Sequence, residues 1–74
     1  MTIDDLGREL QKMYANAPEK EQVTFIHLFG IKYGAIILRN NYSASDIVNA
    51  SRINTSYKTE VRKGVNLSNY VSNS

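Results

Sequence analysis

Four basic side chains, Arg52, Lys58, Arg62 and Lys63, fall between Arg52 and Gly64 against a single acid, Glu60, with the hydroxyls of Thr55, Ser56 and Thr59 interleaved among them. A guanidinium offers a fixed fork of donors that fits a guanine edge or a phosphate. An ammonium is a point charge for phosphate oxygens, and a hydroxyl both donates and accepts. This is chemistry for holding a polyanion. Bond-making chemistry has less to work with. His27 is the only histidine and there is no cysteine, so one chain cannot assemble a histidine pair for a metal, a zinc–thiolate site, a histidine-centred triad or a thiol nucleophile. Asp4, Asp5, Glu9, Glu19 and Glu21 gather near the N-terminus with no nucleophile beside them, and the glycine pair at Gly30 and Gly34 is not followed by the Lys-Ser or Lys-Thr of a phosphate loop. No enzyme activity, cofactor or metal site is expected. His27, inside the most apolar stretch, reads as a core or boundary side chain with a satisfied partner.

The net charge of +2 is unevenly spread: residues 1–21 carry five acids and three bases, residues 22–74 six bases and two acids. The alternative reading of such a basic cluster is a solvated helix face; concentration on one short helix favours phosphate binding.

Two short helices and a tight turn must position these side chains. Ser43 followed by Asp46 is a capping-box pattern that starts the first helix, whose buried face is Ile47 and Val48. Ser51, Arg52, Ile53 and Asn54 form the turn. Asn54 or Thr55 caps the second helix, which is predicted to end at Gly64, a glycine placed for a left-handed C-terminal position. Ile53, Tyr57 and Val61 recur every four residues and make its inward stripe.

Residues 43–64 resemble the helix-turn-helix of bacterial repressors and phage regulators, and the whole chain is similar to small bacterial helix-turn-helix-like domains. On that pattern Ile47 and Val48 take the core of the first helix, Ile53 the apolar turn position, Ser56 and Tyr57 the start of the recognition helix, and Val61 its main buried position. Arg52 stands where the family usually has glycine, and an arginine at positive φ costs more, which leaves room for an opened or reshaped turn. Lys58 stands where a second apolar anchor is usual, a loss that Tyr57 can cover. The resemblance implies an all-α fold and double-stranded DNA as partner, with the chain acting as a transcription regulator. Its contacts would come from Arg52, Thr55, Ser56, Lys58, Thr59, Arg62 and Lys63. Arg62 is the candidate for a base contact, and Lys58, Lys63 and Arg52 for phosphates. The rival reading is a protein-interaction module or an accessory or inhibitor subunit of a phage, restriction or defence system that keeps the fold without binding DNA.

The remaining chain supplies a scaffold. Thr2 and Asp5 form another capping box, and Ile3, Leu6, Leu10, Met13 and Tyr14 give an amphipathic helix to Asn16. A connector with the only proline, Pro18, follows. Val23 to Leu38 has eleven apolar residues of sixteen, too many for one amphipathic face, and predicts a central helix buried on several sides. It is too short, and with His27 and Lys32 too polar, for a membrane span of about 20 residues. Gly30 and Gly34 read as tight core packing rather than a dimer seam, although the apolar excess of residues 23–38 offers a seam for a homodimer. Val65 to Val71 is read as a brief strand, which would suggest a winged arrangement, or as a last helical turn, and Ser72 to Ser74 as frayed. The five tyrosines are spread through every segment and suit core filling better than a stacking platform for single strands. Seventy-four residues make one all-α domain of four to five helices, with a short extended C-terminal segment as an option. The acidic N-terminus has no apolar signal region, and the expected location is the cytoplasm.

Overall fold

The structure is a computed structural model that describes residues 1–71. Four α-helices follow one another: α1, Ile3–Asn16; α2, Gln22–Arg39; α3, Ala44–Ser51; and α4, Lys58–Leu67, which is preceded by a 3-10 turn at Thr55–Tyr57. The capping box that starts α1 is complete, with the Thr2 hydroxyl accepting from the Asp5 N–H at 3.1 Å and the Asp5 carboxylate accepting from the Thr2 N–H at 2.9 Å. At α3 only the Ser43 half of the box forms, its hydroxyl accepting from the Asp46 N–H at 3.4 Å. Between α2 and α3 the chain reverses through Asn41 at φ 56°, a left-handed position that asparagine tolerates better than most residues. The Tyr42 hydroxyl then ties this corner to the N-terminus by donating to the Met1 carbonyl at 2.8 Å.

The core takes Leu6 and Leu10 from α1, Ile26, Phe29 and Ile37 from α2, Ile47 and Val48 from α3, and Val61 and Val65 from α4. Each is nearly or wholly removed from water, which for side chains of this size stabilises by about 1.5–3 kcal/mol apiece before chain entropy is counted. Leu6 and Leu10, Ile26 and Phe29, and Val61 and Val65 are three or four residues apart, and Ile37 lies about two turns beyond Phe29, so each set shares one side of its helix; on α3 the neighbours Ile47 and Val48 together make the buried side.

Glycines set how closely the helices meet. A Cβ on Gly7 would lie 2.6 Å from the Ala50 Cβ and 2.8 Å from the Ala50 carbonyl carbon, so α1 lies directly on the α3 backbone there. Between α2 and α4 the contact is backbone to backbone. A Cβ on Gly30 would meet the Gly64 Cα at 2.6 Å, and one on Gly64 would meet the His27 carbonyl oxygen at 2.6 Å. Gly34 in turn lies under Ser68. The pairs His27–Glu60, Gly30–Gly64 and Gly34–Ser68 advance together, so α2 and α4 run side by side in the same direction. Gly30 and Gly34 thus serve core packing.

At the C-terminal end one expectation fails, and of two alternatives the last helical turn is the one found. Gly64 does not end its helix: it lies buried in the interior of α4, no glycine has positive φ, and α4 runs on to Leu67. The segment after it is not a strand. Val65 to Leu67 are helical and Ser68 to Tyr70 turn, with the Tyr70 N–H donating to the Leu67 carbonyl at 2.9 Å, so there is no wing among the described residues. The physical reason is Gly30: α4 must stay regular through Gly64 to lie against it. Ser72 to Ser74 are outside the described residues.

Candidate nucleic-acid interface

The turn between α3 and α4 is built around Ser51 and Arg52. Ser51 is buried; its hydroxyl donates to the Val48 carbonyl at 2.6 Å and accepts from the Ile53 N–H at 3.3 Å. That single side chain bridges the last turn of α3 to the residue beyond the bend. Arg52 takes the left-handed conformation, φ 67° and ψ 10°, and its N–H donates to the carbonyls of Val48 at 3.2 Å and Asn49 at 3.3 Å. The turn therefore keeps the geometry a glycine would give it, with an arginine in the strained position and its side chain exposed. Asn54 then caps the 3-10 turn, its side-chain oxygen accepting from the Ser56 N–H at 2.9 Å.

Tyr57 anchors the start of α4. Its half-buried ring packs on Tyr14 of α1, with centroids 5.4 Å apart and ring planes at 57°. Ile53 is half-buried against the core and Val61 fully buried, completing the inward stripe. Lys58 is exposed, so Tyr57 does supply the anchor that Lys58 does not.

All seven side chains singled out from the sequence, Arg52, Thr55, Ser56, Lys58, Thr59, Arg62 and Lys63, are exposed. They do not form one regular stripe. Residues 55–57 are wound as a 3-10 turn at about 120° per residue rather than 100°, so Thr55 and Ser56 sit ahead of α4 and not on its outer face. On α4 itself Val61, Gly64 and Val65 point inward, which leaves Thr59, Lys63 and Asn66 facing out with Arg62 along one edge. Asn66 lies beyond the helix end that the sequence predicts at Gly64, so the sequence pattern does not single it out. Together with Arg62 it forms one wall of a cleft of about 310 Å³, whose opposite wall is the Tyr42–Ala44 corner at the start of α3.

Glu60, the only acid in this region, is turned away from that face. Its carboxylate accepts from His27 Nε2 at 2.7 Å, on the α2 side, and Lys63 Nζ reaches its other oxygen at 3.4 Å. Both His27 and Glu60 are half-buried. The His27 hydrogen bond, with Lys63 adding to it, holds the Glu60 carboxyl below the usual glutamate range, so it is ionised and paired at neutral pH. The lone histidine is thus committed to a structural bond between α2 and α4.

These residues build a helix–turn–helix with an inward stripe of Ile53, Tyr57 and Val61 and a left-handed residue between the helices. The family model described as HTH-like domain matches residues 2–74. The chain belongs to that family. No curated protein and no solved structure matches it. No helix among the described residues is long and apolar enough to cross a membrane, and no group of three histidine, aspartate or glutamate side chains there could hold a metal ion.

Proposed function

We propose that this HTH-like domain binds double-stranded DNA with sequence preference, laying the outer face of α4 in the major groove, and that it regulates transcription by doing so. The observation that carries this reading is the sorting of charge on α4: Lys58, Arg62 and Lys63 are exposed while Glu60 is turned inward onto His27. An acid left on the outer face would repel phosphate; folding it against α2 leaves a face of bases, a hydroxyl and an amide. Arg62 is the residue for a bidentate guanine contact, worth about 1–3 kcal/mol of discrimination. Lys58 at the start of α4 and Arg52 in the turn bind phosphates and set the register. Lys63 does the same after exchanging its exposed ion pair with Glu60 for a phosphate, a small loss because such pairs contribute little. Asn66 extends the same face by one turn.

The experiment compares Arg62→Ala and Lys63→Ala on a duplex selected from a random library and on an unselected duplex of equal length. Arg62→Ala is expected to lose affinity mainly for the selected duplex, and Lys63→Ala to lose equally on both. Equal losses on both duplexes for both variants would remove the division of roles, and a library that yields no preferred sequence would remove sequence reading altogether.

A further inference from the structure

Large apolar side chains remain exposed at Met1, at Val23, Leu28 and Leu38 on α2, and at Leu67, Tyr70 and Val71 from the last residue of α4 onward; Leu28 is 44% exposed, and Leu38, which also borders the cleft beside Arg62 and Asn66, is 52% exposed. Scattered apolar side chains on a surface need no explanation, but a grouped set does. On α2 the set has an order. Ile26, Phe29, Gly30, Gly34 and Ile37 are the face turned to the chain's own core. Thr24, Leu28, Ile31, Ala35 and Leu38 recur at steps of four, three, four and three on another side of the same helix. That is the heptad spacing of a helix seam, and none of the five is charged. Thr24, Leu28, Ala35 and Leu38 are exposed and Ile31 is half-buried. The neighbouring Lys32 is drawn off the stripe, its Nζ lying 5.4 Å from the centroid of the Tyr33 ring.

We propose that this stripe is the seam for a second copy of the chain, the two α2 helices packing antiparallel about a two-fold axis. The stripe is complementary to itself in that arrangement. With heptad positions of one type set against the other, Ile31 meets Ala35 and Leu28 meets Leu38, each pairing occurring twice across the axis. Large side chains face small ones in the middle and leucines meet at the ends, which is how facing layers interdigitate. The size also fits. A stable interface buries about 800 Å² per partner, roughly one-sixth of this chain's 4730 Å² surface. The stripe supplies the centre of such a patch, and α4 lies against the same helix at Gly34, through Ser68. The seam also accounts for an α2 more apolar than one face requires.

The test is sedimentation equilibrium of the full chain without DNA, so that its outcome is independent of the DNA-binding proposal. The chain is expected to dimerise with a dissociation constant of about 10 μM or lower, an affinity ordinary for an interface of this size. Leu28→Glu, at an exposed position, is expected to keep its helical circular dichroism and to weaken dimerisation by about tenfold or more, since it places a charge in an apolar seam. Leu28→Glu/Leu38→Lys sets opposite charges against each other in both end layers and is expected to recover dimerisation relative to the single variant. Leu28→Glu/Leu38→Glu is expected to remain monomeric. A wild-type chain still monomeric at about 100 μM, a dimer indifferent to Leu28→Glu, or a charge-swapped variant no better than the single one would each overturn the seam. A monomer that still binds DNA would leave the proposed function standing without it.

Discussion

Arg52 carries a measurable conflict between folding and binding. Its φ of 67° is a conformation that costs a residue with a Cβ about 1–2 kcal/mol and glycine almost nothing. Arg52→Gly is therefore expected to stabilise the chain by about 0.5–1 kcal/mol in urea unfolding. It should also weaken DNA binding and reduce the log–log salt slope by about 0.9, the signature of one lost phosphate contact. Stabilisation with unchanged DNA affinity would take Arg52 off the interface. Glu60 makes the opposite kind of prediction. Because His27 and Lys63 hold its carboxyl below the usual range, folding favours the ionised form. The stability it contributes is full above the unfolded-state pKa and is lost as pH falls through the lowered folded-state pKa. Glu60→Gln is expected to be less stable at neutral pH and to close that gap toward the acid end of the folded range. A constant difference at every pH would mean that the carboxylate's charge is not what joins α4 to α2. The expectation of a partnered boundary histidine holds at His27. The identity of its partner was not legible, because nothing local links positions 27 and 60; the link exists only once α2 and α4 are parallel. Ser51 was hidden for the same reason: a serine in a turn is unremarkable until the fold buries it between Val48 and Ile53.

At the scale of the elements, Gly64 shows why a correct local signal can mislead. A glycine at the end of a polar helical stretch matches a C-terminal cap, and the same glycine also matches a close helix contact. The sequence around it does not distinguish the two. The deciding residue is Gly30, thirty-four positions away. The first helix was legible to the residue because its cap, Thr2 with Asp5, and its stripe are local. The extra helical turn beyond Gly64 and the 3-10 start of α4 were not, and with them went Asn66 and the true phase of Thr55 and Ser56. This assignment of Gly64 is testable. If it were a cap at positive φ, Gly64→Ala would be costly through backbone strain; in a helix interior, alanine is the better helix former by about 1 kcal/mol. The close approach to His27 and Gly30 reverses the sign. A methyl group 2.6 Å from a carbonyl oxygen must push the helices apart, so Gly64→Ala is expected to destabilise by about 1–3 kcal/mol. Gly30→Ala is expected to do likewise, and the double variant to cost less than the sum, because the first methyl opens the seam that the second would also need. Additive costs would mean that the two glycines do not share a contact.

At the scale of the molecule, the chain measures 30 × 22 × 19 Å. The sequence divides into an acidic beginning and a basic remainder, and the fold refines that division by holding Glu60 half-buried against His27 and leaving Arg52, Lys58, Arg62 and Lys63 exposed. The all-α class and the order of the helices were legible because each helix has a cap, a stripe or an apolar excess. Which helices would touch was not, since α2 packs hardest on α4 through glycines that carry no hydrophobic signal. The central claim is that the basic face of α4 binds DNA. The most direct test is a fluorescence-anisotropy titration of random and selected duplexes at two or more salt concentrations. Three phosphate contacts, from Arg52, Lys58 and Lys63, predict a log–log salt slope of about −2.7 for each copy bound, with tighter binding to the selected duplex. Absence of binding even at low salt would contradict the claim and leave the exposed bases as a solvated helix face.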